Sequence, residues 1–249
     1  MTARAVQVPA VGLADEFRAL HLGRAPGDPL VLPGPWDAAS AGVFVDAGFP
    51  ALATPSAGIA ASLGYADGEV PPDEMFAAVA RIVRSVAGAV PVSADIEDGY
   101  GLPPKELVER ILETGAVGCN LEDSAGGALK DPREQADFLA EVRAVAGPGL
   151  FLNARVDTFI RGAVDPGQAV DRARLYVEAG ADCVYPIMAP PEALPALRAG
   201  VEGPVNAVAK PGGPSLRELG ELGATRITFG PGLQIRATKA LRTIAAALG

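Results

Sequence analysis

Asp95 and Glu97 stand two residues apart at the end of one apolar run, and Glu122 and Asp123 close the next. On a β-strand, residues two apart point to the same side of the sheet. Asp95 and Glu97 are therefore expected to share a face, joined by Glu122 from the neighbouring strand. Three carboxylates around one small volume repel and resist ionisation unless a cation lies between them. An all-oxygen donor set without imidazole or thiolate suits Mg²⁺ or Mn²⁺ rather than zinc. Taken singly, each carboxylate also fits a plainer role, and Asp98 or Asp123 could cap a helix or pair with a nearby arginine.

Arg155 ends a run that begins Leu150-Phe151-Leu152. A charged guanidinium facing an interior is costly without an anionic partner. A ligand carboxylate held two-pronged would serve, and so would a salt bridge to Asp157 or Glu122. Asp37, Ser56, Asn153, Asp157 and Asn206 complete the polar residues at the ends of apolar runs. His21 lies before the first run and reads as structural. Cys119 and Cys183 sit inside strands and read as core thiols. The turns Lys210-Pro211-Gly212-Gly213 and Gly230-Pro231-Gly232 are the only phosphate-cradle candidates, a weak signal.

The elements that must position these groups repeat one theme: a β-rich apolar run, a polar loop, an amphipathic helix and a glycine. Strands are expected at 30–37, 51–56, 90–97, 118–123, 150–157, 183–188, 205–209 and 226–230. They are nearly all apolar rather than alternating, as parallel strands covered on both faces require. Asp131-Pro132 and Asp165-Pro166 each place a capping carboxylate before a proline at the first helical position. Gly48, Gly115, Gly180 and Gly223 fall where left-handed caps would end helices. In the helix 105–114, Leu107, Val108, Ile111 and Leu112 fall on one face. These eight units over residues 1–249 predict a single-domain α/β protein, a (β/α)8 TIM barrel, with residues 13–22 as an N-terminal capping helix. A doubly wound sheet binding a dinucleotide would show a glycine-rich phosphate turn after its first strand, and Pro33-Gly34-Pro35-Trp36-Asp37 is not one.

Composition narrows the partners. The chain has 249 residues, 49% of them hydrophobic, and a net charge of −9. That acidity argues against nucleic acid. No apolar run approaches membrane-spanning length, and the N-terminus lacks the basic start and apolar stretch of a secretory signal. A cytoplasmic protein is expected. Two cysteines and one histidine are too few for a disulfide framework or a His/Cys metal cage.

At the same residues the sequence resembles the isocitrate lyase/phosphoenolpyruvate mutase superfamily. The matching runs are Pro33 through Ala41, Ser56 through Asp67, Asp95-Ile96-Glu97-Asp98-Gly99-Tyr100-Gly101, Asn120-Leu121-Glu122-Asp123-Ser124 and Asn153-Ala154-Arg155-Val156-Asp157. The resemblance runs from about residue 13 to the C-terminus. It implies a Mg²⁺-dependent barrel acting on α-oxo or α-hydroxy acids through a pyruvate-like enolate. By motif, Asp95 resembles the direct metal ligand, with Asp67, Glu97 and Glu122 reaching the metal through water. Ser56, Ala57 and Gly58 would bind substrate oxygens, Arg155 would clamp a carboxylate, and Asn206 would line the far side. Asp67, Glu122 and Arg155 are the expected catalytic residues.

Three departures stand out. The isocitrate and methylisocitrate lyases carry a lid motif of lysine, lysine or arginine, cysteine, glycine and histidine, and nothing like it occurs here. Glu97 stands where many relatives carry aspartate. The chain also ends directly after its eighth helix, without the longer tail many relatives swap between subunits. The expected activity is a Mg²⁺-dependent lyase or hydrolase that cleaves a C–C or P–C bond in a small carboxylic acid, in a homo-oligomer. Lys130, the only lysine near the expected lid, is a candidate general acid. The alternatives are a phosphosugar-type barrel enzyme using the glycine-rich turns and a non-catalytic oxo-acid-binding barrel.

Overall fold

Alternation of short parallel strands with helices begins after one leading helix, α1 (Ala10–His21). The computed structural model describes residues 10–248. The strands and helices run β1 (Leu30–Val31), α2 (Ala38–Asp46), β2 (Leu52–Ala53), α3 (Ser56–Leu63), α4 (Pro72–Val86), β3 (Val92–Asp95), α5 (Pro104–Glu113) and β4 (Gly118–Leu121). A small hairpin, β5 (Ser124–Ala125) and β6 (Ala128–Leu129), precedes α6 (Pro132–Ala146) and β7 (Phe151–Val156). There follow α7 (Pro166–Glu178), β8 (Cys183–Pro186), α8 (Leu194–Gly200), β9 (Asn206–Val208), α9 (Leu216–Glu221), β10 (Arg226–Thr228) and α10 (Gly232–Ala246).

The eight strands outside the hairpin pair in parallel, in two sheets ordered β2-β3-β4-β7-β8 and β1-β10-β9. A parallel bridge between Val184 and Val205 joins β8 to β9. On the other side the Ala53 amide donates to the Pro33 carbonyl at 3.1 Å. The sheet therefore curls, as in a TIM-like barrel.

Helix signals in the sequence are realised. The Asp131 carboxylate accepts from the Arg133 and Glu134 amides, and Asp165 accepts from Gly167. Gly48, Gly115, Gly180 and Gly223 all take positive φ, between 83° and 118°. Leu107, Val108 and Ile111 are buried, whereas Leu112 is 38% exposed and leaves the expected face.

Several strands are shorter than expected. The run 30–37 is a strand only at Leu30–Val31, because Pro33 and Pro35 have no amide to donate to a ladder. In 51–56 the strand ends at Ala53, and Ser56 instead opens α3. In 90–97 it ends at Asp95, and Glu97 adopts a left-handed φ of 49°.

Outward-facing strand residues such as Ala94, Cys119, Leu121, Leu152, Ala154 and Val184 pack into the main core with the buried faces of the helices. A second cluster fills the sheet's interior at the N-terminal end of the strands: Leu30, Leu32, Ala53, Phe151 and Cys183, closed by Phe17 of α1. The Phe17 and Phe151 rings meet edge-on at 5.0 Å, and His21 stacks on Phe151 at 4.3 Å. Burial and the nearby Arg226 charge lower the His21 pKa to about 3, so this ring is neutral in the fold. Arg18 ties α1 down, donating to Asp182 at 3.0 Å and to the Leu150 carbonyl at 2.8 Å. α1, at Ala10–His21 where a helix is expected over 13–22, packs Phe17 and His21 against Phe151. At the opposite extreme, α10 buries no residue and exposes Ile235, Leu241 and Ile244.

Candidate active site

The C-terminal strand ends open into a cavity of about 320 Å³ lined by Thr54, Ser56, Ala57, Asp67, Asp95, Asn120, Glu122 and Arg155, with Tyr185, Thr228, Gly230 and Pro231 opposite. Asp95 ends β3 in its wall. Its Oδ2 accepts from the Ser56 hydroxyl at 2.9 Å and the Ser56 amide at 3.3 Å, while its own amide donates to the Thr54 hydroxyl. Its Oδ1 is buried with no hydrogen-bond partner among the described residues. Ser56 and Ala57 form the first turn of α3, whose amides have no acceptor within the helix and whose dipole favours an anion.

At the level of Asp95 a cross-strand row runs Asp95, Asn120, Asn153, in register on β3, β4 and β7. The Asn153 amide donates to Asn120 Oδ1 at 2.7 Å. One layer up, Arg155 lies between two carboxylates: its Nη1 donates to Glu122, and its Nε to Asp157 at 2.9 Å. Burial works against this charge, and Glu122, Asp157 and Asp95 more than offset it, holding the pKa of Arg155 above its ordinary value. Asp157 is itself fixed. It accepts from the Ser124 hydroxyl, and its amide donates to the buried Asp123 carboxylate, which also accepts from Tyr176 and Arg172.

The acidic groups sense one another. Burial, with the charges of Asp95, Asp67 and Asp98, pushes Glu97 up to about 7. Burial pushes Glu122 upward against the pull of Arg155, helped by Asp95, Asp157 and Glu97. Asp67 is raised by burial and by Asp95. Among the described residues no group of three or more His, Cys, Asp or Glu is gathered closely enough to hold an ion alone. What the site offers a cation is the unpartnered Oδ1 of Asp95 in the wall shared with Asp67 and Glu122, and a second unpartnered carboxylate oxygen, Glu97 Oε1, in the adjoining cavity. That fits Mg²⁺, which keeps several waters and takes only one or two protein carboxylates.

The structure sorts the expected residues. Asp67, Asp95, Glu122, Arg155, Ser56 and Ala57 line one cavity. Glu97 does not share the face of Asp95 by strand alternation, because the strand has ended and its backbone has turned left-handed. It lines an adjoining cavity of about 430 Å³ with Asp98, Tyr100, Ser124 and Gly126, which shares Asp67, Glu122 and Arg161 with the first. Gly58 is absent from both walls. A Cβ there would come within 2.8 Å of Pro55 Cγ, so packing accounts for this glycine. Asn206 is fully buried away from the cavity, its amide donating to the Thr228 hydroxyl at 2.9 Å.

Lys130 does not face the cavity. Its ammonium reaches the Glu122 and Asp98 carbonyls at 3.3 and 3.4 Å and the Asp98 carboxylate at 3.9 Å. The two-pronged clamp expected of Arg155 is also modified, since two of its three nitrogens already hold Glu122 and Asp157. Of the glycine-rich turns, Gly230 and Pro231 join the Asp95 cavity, while Lys210 and Gly232 line a separate cleft with Arg236. Sequence reasoning missed Arg161, which lies past a strand end rather than on it. Its signal was an arginine in a turn with no acidic neighbour.

Residues 17–248 match the family model described as phosphoenolpyruvate phosphomutase. The chain belongs to that family. Among phosphomutase-family relatives, an uncharacterised protein of Mycobacterium tuberculosis is 36% identical over 206 residues, 82% of this chain and 78% of that one. The 2-methylisocitrate lyase of Halalkalibacterium halodurans is 33% identical over 186 residues, 70% of this chain and 59% of the lyase. A solved Burkholderia cenocepacia J2315 protein, provisionally described as a phosphonomutase, superposes with a TM-score of 0.86 at 40% identity. That match covers 94% of this chain and 98% of the other. Members of the phosphomutase family thus include both lyases and mutases by name, and the fold here is theirs.

Proposed function

We propose that the chain is one (β/α)8 barrel domain, closed at the Ala53–Pro33 and Val184–Val205 seams, and that it is a Mg²⁺-dependent lyase or hydrolase. Its reaction is cleavage of a C–C or P–C bond in a small α-oxo or α-hydroxy carboxylic acid. The observation that carries this reading is the buried, unpartnered Oδ1 of Asp95, whose other oxygen is pinned by Ser56 in the wall of a cavity rich in carboxylates. Asp95 would hold Mg²⁺ or Mn²⁺ directly, and Asp67, Glu97 and Glu122 would reach it through water. The cation supplies positive charge that stabilises the negative charge developing on the acid as its bond breaks.

The chain's own groups bind and orient. The Ala57 amide in the first turn of α3 receives the acid's oxygens, beside Ser56, whose amide and hydroxyl hold Asp95. Arg155, held rigid by Glu122 and Asp157, presents its remaining N–H groups to a substrate carboxylate. Neither a lid cysteine nor Lys130 is placed to protonate a product, which sets this chain apart from the lyases carrying the lid motif. No helix among the described residues is long and apolar enough to cross a membrane, and we place the enzyme in the cytoplasm. The exposed apolar side chains of α10 support a homo-oligomer.

The test is release of oxo acid from oxaloacetate, 2- and 3-substituted malates, methylisocitrate and phosphonopyruvate, with and without Mg²⁺, alongside Asp95→Ala. Turnover on one of these that needs the metal and vanishes in Asp95→Ala is expected. Absence of turnover in protein that still binds Mg²⁺ and oxalate would replace the enzyme with an oxo-acid-binding barrel.

A further inference from the structure

Two arginines line the Asp95 cavity, and they differ in how their charge is spent. Arg155 is buried between Glu122 and Asp157, so its charge is already neutralised inside the protein. Arg161 is exposed and forms no salt bridge among the described residues. Its one side-chain hydrogen bond is a long one, 3.3 Å, from Nη2 to the Ser124 hydroxyl. It lies where the two acidic cavities meet, lining both. A cation left unpaired beside Asp67 and Glu122 is free to take an anion brought by a ligand.

Its backbone is not loose. Residues Phe159–Arg161 form a single 3₁₀ turn ended by Gly162 at φ 90°. The Arg161 amide donates to the Asp157 carbonyl at 3.2 Å, while the Asp157 carboxylate holds Arg155. One residue thus sets both arginines. The apolar side chains of Ile160 and Ile187 line the same cavity.

We propose that Arg161 is a specificity-determining residue, recognising a second anionic group on the substrate. The acids proposed above each carry such a group, a carboxylate or phosphonate at carbon 3, and Arg161 is the residue assigned to read it. This rests on the reading of the Asp95 cavity as an oxo-acid site. A monoanionic acid of equal length leaves Arg161 without a partner.

Calorimetric titration under saturating Mg²⁺ separates the possibilities, using lactate, malate, 3-phosphonolactate and oxalate. Wild-type protein is expected to bind malate or 3-phosphonolactate at least ~10-fold more tightly than lactate, the scale of one charge-assisted hydrogen bond. Whichever of the two binds better identifies the distal anion. Arg161→Gln is expected to erase that preference while leaving lactate and oxalate affinities unchanged, and Arg161→Lys to restore part of it. Unchanged preference in Arg161→Gln, with oxalate still bound, overturns the assignment and leaves the oxo-acid site standing. Failure of wild-type protein to bind any of the four removes the oxo-acid site, and this assignment with it.

Discussion

Replacing Asp157 by alanine removes the carboxylate that holds Arg155, while the backbone carbonyl that accepts from the Arg161 amide stays in place. The side chain is fully buried, accepts from Arg155 Nε at 2.9 Å and also accepts from Ser124. Without it, the Nε of a buried guanidinium loses its acceptor, and Glu122 alone must balance the charge. Breaking a buried pair from one side costs about 3–5 kcal/mol. At about 2–4 °C per kcal/mol for a chain of this size, the melting temperature should fall by roughly 6–20 °C. Asp157→Asn keeps an acceptor of the same shape and gives up only the charge, so it should fall between alanine and wild type. Urea denaturation read by circular dichroism, with the slope checked for constancy, measures both variants. Oxalate affinity should drop in parallel, because Arg155 is no longer held. An alanine variant within about 1 kcal/mol of wild type would refute the claim that this carboxylate is what secures Arg155.

Two further outcomes follow from buried groups. His21 titrates near 6.5 when unfolded and is lowered to about 3 in the fold, so between those values the unfolded chain binds the extra proton and stability falls as pH falls. From pH 7 to pH 5 wild type should lose about 2 kcal/mol more than His21→Asn, and equal losses in urea titrations would show that His21 carries no such linkage. Cys119 and Cys183 are buried, and burial pushes both thiols up to about 12. At pH 8 neither should react with a disulfide reagent until denaturant is added; prompt labelling of the folded protein would contradict their place in the core.

Much of the fold was legible because its signals are local. An Asp-Pro pair at a helix start or a glycine at its end acts through neighbouring residues, and Asp131, Asp165, Gly180 and Gly223 behave as their types dictate. The acidic site was legible because Asp95, Glu122 and Arg155 lie on or beside strands whose parallel register brings them together. What failed depends on where a strand stops. Alternation carries Asp95 to its place but not Glu97, whose left-handed backbone no period-two pattern anticipates. The short β5–β6 hairpin was hidden because its turn, Gly126-Gly127 with φ of 55° and 85°, joins strands of only two residues each. Gly58, which falls in a matching run, and Asn206, expected on the far side, line no part of the cavity, since steric room and a Thr228 hydrogen bond are facts of packing. Arg161 was overlooked for the converse reason, being a loop residue placed by the turn that Asp157 anchors.

The account turns on whether Asp95 holds a divalent cation. Crystals grown with Mn²⁺ and oxalate, measured for anomalous scattering, locate that ion without relying on turnover. A single strong peak at coordination distance from Asp95 Oδ1, with oxalate beside it and Arg155 within hydrogen-bond reach, is expected, and it should vanish in Asp95→Ala. No peak in the cavity, or one held by other residues with Asp95 Oδ1 still unpartnered, would contradict the assignment of this site.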